Sequence, residues 1–211
     1  MRALLVVDIQ NDFLPGGALG VRYGDEVIPV INRIMPLFGL VVASQDWHPQ
    51  GHKSFASAHG KQVGEKIILN GIEQVLWPDH CVQGTQGADL APALDRSSIE
   101  RVFPKGTSLD IDSYSAFFDN GHKKATGLMD FLKTKRVSEI YIAGLATDYC
   151  VLYSALDAVK LGLGVTVVMD GCRGIDLNPG DIDKAVREMI KAGVRITEDL
   201  ADDGKEWVKE L

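Results

Sequence analysis

A strand, a turn and the start of a helix follow one another in the run Tyr141-Ile-Ala-Gly-Leu-Ala-Thr-Asp-Tyr-Cys150-Val-Leu. The apolar segment ends at Gly144, and Thr147 has the side chain of a helix N-cap, so we expect the helix to begin there. Cys150 then falls in the first turn, where unpaired backbone N–H groups and the helix dipole lower the pKa of a thiol. This context favours a reactive nucleophile, although a free cysteine is otherwise most often a small core residue.

Further apolar runs of strand length predict a parallel sheet. Each run is continuously apolar rather than alternating, which is typical of strands whose two faces are both covered by helices. The runs are Ala3–Val7, Leu40–Ser44, Glu139–Ala143 and Val165–Met169, with weaker candidates at Ile99–Phe103 and Arg195–Thr197.

Helical patterns separate these strands. They cover Asp25–Phe38, Lys124–Lys135, Cys150–Leu161 and Asp181–Ala192, and we expect short helices at Asp89–Leu94 and Asp203–Glu210. The alternation of strand and helix predicts an α/β fold, a three-layer α/β/α sandwich around a mostly parallel, roughly six-stranded sheet. The sequence has no internal repeat and no linker-like composition, so we expect residues 1–211 to form a single domain.

Composition limits the class of protein. The chain has 211 residues, 45% of them hydrophobic, and a formal net charge of −7, which argues against nucleic-acid and anionic-membrane partners. Its apolar runs are too short to span a membrane, and the N-terminal run is too short for a signal peptide. Three cysteines without a CxxC pair argue against a disulfide framework and favour a reducing, cytoplasmic compartment. Whether the chain forms a homo-oligomer stays open.

Candidate metal ligands follow the second predicted strand. Asp46 and His48 lie two residues apart, so an extended chain directs both side chains to one side. His80 comes from a stretch without long elements, from Trp47 to about Ser98, which is typical of a functional loop or cover. One carboxylate and two imidazoles can hold a divalent metal and leave positions for water or substrate. An Asp-x-His pair by itself is nevertheless more often loop polarity than a metal site.

Two charged residues follow other predicted strands. Asp8 comes directly after the first strand, where a carboxylate is either a solvated cap or a group whose pKa suits proton transfer. Lys105 follows the weaker candidate Ile99–Phe103 and by residue type alone is an ordinary surface lysine. If both met Cys150, the carboxylate would take the thiol proton and the ammonium would stabilise the sulfur anion.

Sequence runs from nearly the whole chain carry a family resemblance. They are Val-Asp8-Ile-Gln-Asn-Asp-Phe13, Ser-Gln-Asp46-Trp-His48-Pro, Trp77-Pro-Asp-His80-Cys-Val-Gln, Lys105-Gly, Asp112-Ser-Tyr114-Ser-Ala-Phe117-Phe-Asp, Gly144-Leu-Ala-Thr-Asp-Tyr-Cys150-Val and Asp170-Gly-Cys-Arg-Gly174. In these runs the chain resembles the nicotinamidase (pyrazinamidase) branch of the isochorismatase-like cysteine hydrolases. The set Asp46, His48 and His80 is specific to that branch, whereas Asp8, Lys105 and Cys150 are shared by the superfamily.

The resemblance implies a reaction. Family members hydrolyse nicotinamide, and pyrazinamide, to the carboxylic acid and ammonia, and thereby serve NAD salvage. By this resemblance Cys150 would attack the carboxamide carbon and form a thioester, while Asp8 would move protons and Lys105 would hold the thiolate. The backbone N–H groups of Ala146 and Cys150 would hold the oxyanion, presented through a cis peptide bond at Leu145–Ala146.

The resemblance also implies one divalent metal ion, with zinc favoured over iron or manganese. Asp46, His48 and His80 would bind it, and the metal would hold the pyridine nitrogen of the substrate. His52 and Ser54 stay open as further ligands.

A substrate pocket follows from the same resemblance. Phe13 and Trp77 would sandwich the pyridine ring, and Tyr114 would close the pocket, although core packing explains Tyr114 equally well. Leu145 and Ala146 would complete the pocket beside the nucleophile.

Two other interpretations compete with this one. A different amidohydrolase of the same superfamily would keep Cys150 and would not need the metal. A non-enzymatic α/β nucleotide-binding module should have a glycine fingerprint after its first strand, where this chain has Asp8-Ile-Gln-Asn. The sequence therefore favours an enzyme over a nucleotide-binding module.

Overall fold

The computed structural model describes residues 1–200, which contain one large parallel sheet and one small hairpin. In chain order the strands are β1 (Arg2–Val7), β2 (Val41–Asp46), β3 (Lys66–Leu69), β4 (Ile72–Val75), β5 (Arg101–Lys105), β6 (Glu139–Leu145), β7 (Gly164–Arg173) and β8 (Arg195–Thr197). The large sheet has six strands in the order β5-β2-β1-β6-β7-β8, and every neighbouring pair is parallel. The strong and the weak strand predictions are all confirmed, with ends shifted by a few residues.

Strand β1 lies in the middle of the sheet and is buried on both faces. Ala3, Leu5 and Val7 pack into one hydrophobic core, whereas Leu4 and Val6 pack into another. Successive side chains of a strand point to opposite faces, so each core covers one face of the sheet. This double burial explains why the strand is continuously apolar.

The helices form the two outer layers. Within residues 1–200 the α-helices are α1 (Val27–Ile34), α2 (Leu128–Thr134), α3 (Leu152–Lys160) and α4 (Asp181–Lys191). Helix α1 packs on one face through residues such as Ile31, and α2, α3 and α4 pack on the other through residues such as Leu132, Ala155 and Met189. The predicted α/β/α sandwich is therefore confirmed. Among the described residues, no helix combines the length and the apolarity that spanning a bilayer requires.

Two predictions about helices are wrong, and a third is untested. The predicted helix at Asp89–Leu94 is absent, because Leu90 instead forms a β-bridge with Gln10. Helix α2 begins at Leu128 rather than at Lys124, because the preceding chain pairs Ala125 with Phe118. The helix predicted at Asp203–Glu210 lies outside the described residues, so the single domain over residues 1–211 stays a prediction.

The antiparallel hairpin of β3 and β4 was missed from the sequence. Asn70 and Gly71 join its strands with φ angles of 53° and 83°. Positive φ at both central residues is the geometry of the tight hairpin turn that Asn-Gly favours. The signal was therefore present in the sequence, within the stretch in which we expected no long element.

The carboxyl ends of four neighbouring strands, β5, β2, β1 and β6, meet at one edge of the sheet. Gly144 near the end of β6 pairs with Val7 at the end of β1, and a Cβ at Gly144 would lie only 2.1 Å from the Val7 carbonyl oxygen. Only glycine allows this close approach, which brings the ends of β1 and β6 together. Open α/β sheets place their sites at such an edge.

Candidate active site

Asp8, Lys105 and Cys150 come together at this edge of the sheet. The Lys105 ammonium nitrogen lies 2.9 Å from Asp8 Oδ2 and 3.3 Å from Cys150 Sγ. The other carboxylate oxygen of Asp8 accepts a hydrogen bond from the Ser44 hydroxyl at 2.7 Å. All of these side chains are buried. A carboxylate, an ammonium and a thiol in one buried cluster can transfer a proton and stabilise an anionic sulfur.

Burial and charge shift the pKa values of this cluster. Burial raises the pKa of Asp8, and the Lys105 ammonium only partly opposes the increase. Burial also disfavours the charged form of Lys105, but Asp46 and Asp8 outweigh this and raise its pKa well above the usual range. A lysine with two carboxylates at hydrogen-bond distance keeps its proton. Lys105 is thus a permanent cation beside the sulfur.

The pKa of the Cys150 thiol is raised, which contradicts the expectation from the helix start. Burial raises the pKa well above its ordinary value, and the Lys105 ammonium lowers it by less. Cys150 lies in a π-helical turn, Thr147–Val151, that precedes α3. The cost of burying a thiolate therefore outweighs the attraction of the neighbouring ammonium. The resting Cys150 side chain is therefore a neutral thiol beside Asp8 and Lys105.

The predicted N-cap is also wrong. Ala146, not Thr147, is the N-cap residue of this turn, and no side chain caps it. The Asp148 carboxylate accepts the backbone N–H groups of Ile175 and Asp176 at 2.9 and 2.8 Å. Asp148 therefore fixes the loop after β7 against the turn that carries Cys150. The peptide bond between Leu145 and Ala146 is cis, as the resemblance implied.

Asp46, His48 and His80 form a buried cluster in which one ligand atom from each lies within 4.8 Å of the others. Asp46 Oδ2 is 3.5 Å from His48 Nε2 and 3.8 Å from His80 Nε2. Each imidazole Nδ1 faces a backbone carbonyl, that of Gly106 at 3.0 Å for His48 and that of Pro78 at 2.8 Å for His80. With Nδ1 donating to a carbonyl, the lone pair of Nε2 is available to a metal.

A divalent metal fits this set. His48 Nε2 is buried and has no hydrogen-bond partner among the described residues. A buried polar atom without a partner is costly, and coordination would satisfy it. Gly106 shapes the site, since its φ is 63° and a Cβ there would lie 2.4 Å from the His48 ring. The chain thus carries a site for a divalent metal.

His52 and Ser54 form a hydrogen bond with each other, and neither belongs to the group of Asp46, His48 and His80. His52 Nδ1 lies 2.7 Å from the Ser54 hydroxyl, and its Nε2 lies 3.2 Å from the Ile111 carbonyl oxygen. The His52 ring packs against that of His48, with 4.4 Å between ring centroids. Both ring nitrogens of His52 therefore face protein atoms, and the ring supports His48 from behind.

Gln10 and Asp12 hold the loops that carry the metal-binding residues, and we gave neither a role from the sequence. Gln10 Oε1 accepts the backbone N–H of Asp46, and Gln10 Nε2 donates to the Asp46 carbonyl, both at 2.8 Å. The Asp12 carboxylate accepts the backbone N–H of Cys81 at 2.7 Å, next to His80. Their only sequence signal is the run Val-Asp8-Ile-Gln-Asn-Asp-Phe13 that contributes to the resemblance.

A small pocket extends from Cys150 to Asp46 and His80. Its lining consists of Phe13, Leu19, Asp46, Trp77, His80, Asp112, Tyr114, Ala146, Tyr149, Cys150 and Ile175. Aromatic and apolar side chains with a few polar groups suit a small flat ring. Asp112, Tyr149, Leu19 and Ile175 were not anticipated as lining residues.

Leu145 lies outside the pocket lining, although we expected it there. Its side chain is fully buried in a core cluster and packs close to Gly24. The reason is the alternation of β6, which directs Leu145 into the core on one face of the sheet. The next residue, Ala146, lines the pocket.

Comparisons with known proteins agree with this fold and this site. A profile of the Isochorismatase domain matches residues 2–199. The chain belongs to the isochorismatase family. It is 49% identical to the nicotinamidase of Escherichia coli (strain K12) over 199 residues, which are 92% of this chain and 93% of that protein. It is 36% identical to the nicotinamidase/pyrazinamidase of Mycobacterium tuberculosis over 201 residues, with 93% and 98% covered.

Solved structures point to the same branch. A nicotinamidase/pyrazinamidase of Acinetobacter baumanii has a TM-score of 0.90 and 46% identity, with 92% of this chain and 94% of that chain covered. The pyrazinamidase of Pyrococcus horikoshii, solved in complex with zinc, has a TM-score of 0.76 and 38% identity, with 93% and 98% covered. The family resemblance found in the sequence is therefore confirmed.

Proposed function

We propose that this chain is a nicotinamidase that hydrolyses nicotinamide, and pyrazinamide, to the carboxylic acid and ammonia. The pocket that joins Cys150 to Asp46 and His80 carries this proposal, because a ring with a carboxamide at one end and a nitrogen at the other would meet both. Relatives named nicotinamidase and nicotinamidase/pyrazinamidase support it. Nicotinate from this reaction would serve NAD salvage. A cytoplasmic location stays a prediction from the cysteine content, and a homo-oligomer stays open.

The nucleophile is generated at the moment of attack. Asp8 takes the thiol proton of Cys150 while the sulfur forms a bond to the carboxamide carbon. Lys105, 3.3 Å from the sulfur, stabilises the negative charge during this transfer. The carbonyl oxygen becomes an oxyanion, and the backbone N–H groups of Ala146 and Cys150 hold it. A neutral resting thiol therefore needs Asp8 in its ionised form.

Asp8 then returns the proton. The tetrahedral intermediate collapses, the carbon–nitrogen bond breaks, and Asp8 protonates the leaving nitrogen, which departs as ammonia. A thioester remains on Cys150. Asp8 next takes a proton from a water molecule that attacks the thioester carbon. The carbon–sulfur bond then breaks, the acid is released, and Asp8 returns this proton to the sulfur, which restores the Cys150 thiol. One carboxylate therefore acts as base, acid, base and acid in turn.

The metal-binding residues orient the substrate ring. Asp46, His48 and His80 would hold one divalent ion, whose contribution when bound is a Lewis acid for the pyridine nitrogen. Two imidazoles and one carboxylate favour zinc, with iron and manganese as the alternatives. Phe13 and Trp77 would sandwich the ring, and Tyr114 would close the pocket. The ring nitrogen would be held at one end of the pocket and the carboxamide at the other. The carboxamide carbon would then lie against the sulfur.

Ammonia release from nicotinamide tests the proposed function. Purified protein supplied with a divalent metal should release ammonia and nicotinate in equal amounts, and the Cys150→Ala variant should release neither. Cys81→Ala is the matched control, because Cys81 is also free and buried but belongs to the loop after His80. A metal-supplied wild-type protein that releases no ammonia from nicotinamide would refute the proposal.

A further inference from the structure

Gln74 lies directly behind the aromatic wall of the pocket. It belongs to β4 in the hairpin and is only 2% exposed. Its amide nitrogen shares two hydrogens among three acceptors, the Val75 carbonyl oxygen at 2.7 Å and the Tyr114 hydroxyl and Asp112 Oδ2, both at 3.1 Å. Tyr114 and Asp112 line the pocket, whereas Gln74 is not among the lining residues.

The contacts of Gln74 extend to a second aromatic residue. The Tyr114 hydroxyl also accepts a hydrogen bond from the indole nitrogen of Trp77 at 3.2 Å. The Tyr149 ring packs against both, with ring centroids 5.4 Å from Tyr114 and 4.8 Å from Trp77. Donors from Gln74 and Trp77 therefore hold the hydroxyl oxygen of Tyr114 in place. Through that oxygen they hold the rings that form this wall of the pocket.

We propose that Gln74 is a positioning residue for substrate binding. It acts through Tyr114 and Asp112 on the face of the pocket that contacts the ring. This inference rests on the proposed hydrolysis of nicotinamide. Removing the amide would leave a hydroxyl and a carboxylate in the pocket wall without their shared buried donor, and both would shift to find other partners.

Loss of the Gln74 amide should weaken ring binding more than it slows the chemical step. Asp8, Lys105 and Cys150 come from β1, β5 and the turn before α3, and none of their described hydrogen bonds involves Gln74. A change confined to the aromatic wall of the pocket raises KM and the dissociation constant of nicotinamide and leaves kcat nearly unchanged. A defect in folding alone would instead reduce the fraction of active protein and leave KM intact.

The test compares Gln74→Leu with Glu73→Gln. Glu73 lies next to Gln74 on the same strand, but its side chain is 62% exposed and pairs with Lys66. We expect Gln74→Leu to raise KM for nicotinamide about tenfold, with kcat changed less than about threefold and metal content unchanged. Nicotinamide binding measured in the Cys150→Ala background should weaken by the same factor, and Glu73→Gln should leave every value unchanged.

A reciprocal pair of variants covers the case in which Gln74→Leu does not fold. Gln74→Glu places a carboxylate against Asp112 and should weaken nicotinamide binding. Adding Asp112→Asn to Gln74→Glu supplies a donor again, and affinity should recover relative to Gln74→Glu alone. A positioning role requires this recovery.

The outcomes separate this inference from the proposed function. An active wild-type protein whose KM and nicotinamide affinity are unchanged in folded Gln74→Leu would overturn the positioning role alone. Absence of recovery in the double variant would overturn it as well. A wild-type protein that binds no nicotinamide and does not hydrolyse it would refute the proposed function and this inference together.

Discussion

The ammonium nitrogen of Lys105 contacts the carboxylate of Asp46 at 2.5 Å. The same nitrogen pairs with Asp8 at 2.9 Å and lies 3.3 Å from the sulfur of Cys150. A single buried cation therefore joins the proton-transfer cluster to the metal-binding cluster. Burial opposes ionisation of Asp46, but Lys105 and His48 lower its pKa well below the usual range. The two halves of the site share one charge and are not independent.

Lys105→Met should destabilise the metal-free protein by about 3–5 kcal/mol, because it leaves two carboxylates buried without their cation. Denaturant unfolding measures this loss. Lys61→Met is the matched control, since Lys61 forms an exposed ion pair with Glu65 at 2.8 Å and its removal should change stability little. Equal destabilisation by both variants would show that the Lys105 pairs contribute no more than a surface pair.

Cys150→Ala should abolish turnover and leave the fold intact, because Cys150 supplies the sulfur that forms the bond. The loss in kcat should be on the order of 10³-fold or more, as for other nucleophile deletions. Asp8→Asn should be nearly as damaging, since it keeps the shape and removes the proton acceptor.

Cys81→Ala and Cys172→Ala should remain active, which separates the nucleophile from the other two cysteines. Iodoacetamide should inactivate the protein through Cys150, because Asp8 can accept the thiol proton while the sulfur is alkylated. The assignment is wrong if a folded Cys150→Ala protein keeps near-normal activity, or if inactivation follows alkylation of Cys81.

The resting protein should contain no thiolate at Cys150 near neutral pH. Its pKa is raised by burial, so the solution pH lies below the pKa and the thiol keeps its proton. The ultraviolet absorbance of thiolate, compared between the wild type and Cys150→Ser, measures this directly. The two proteins should have the same absorbance near neutral pH, and the wild type should absorb more only at strongly alkaline pH. A full thiolate signal near neutral pH would contradict the raised pKa. It would support the lowered pKa that the position of Cys150 at the start of a helix predicts.

A chelator should remove one divalent ion per chain and abolish activity, which zinc, manganese or iron should restore to differing degrees. His48→Ala should lower metal content and raise KM, because it removes one of the three side chains that would hold the ion. Metal analysis paired with the assay measures both effects. His122→Ala is the control, since the side chain of His122 is 50% exposed. A fully active, metal-free preparation would contradict the role given to the metal.

The sequence predicted the sheet because its strands are buried on both faces and therefore continuously apolar. It also located Asp8, Asp46 and Lys105, since each lies at the carboxyl end of a strand, and such ends meet at one edge of a parallel sheet. The roles proposed for them come from the resemblance. The local apolar pattern was sufficient to place a residue at the carboxyl end of a strand.

Properties that depend on tertiary packing were not predictable in this way. The pKa of Cys150 depends on burial by distant elements, and it rises where the local helix start alone predicts a decrease. Ser44 contacts Asp8, and Gln10 contacts Asp46, each across 36 positions of sequence. The β3–β4 hairpin differs from these, because its Asn70-Gly71 turn was a readable signal that was overlooked.

The ratio of kcat/KM for nicotinamide to that for benzamide tests the central claim most directly. Benzamide has the same shape and the same carboxamide but no ring nitrogen, so it would present a C–H group to the metal that Asp46, His48 and His80 would hold. We predict that kcat/KM for benzamide is lower by about 10²-fold or more. Picolinamide, with its nitrogen ortho to the carboxamide-bearing carbon, should also be poor. Comparable rates for benzamide and nicotinamide would contradict the account and favour a metal-independent amidohydrolase of the same superfamily.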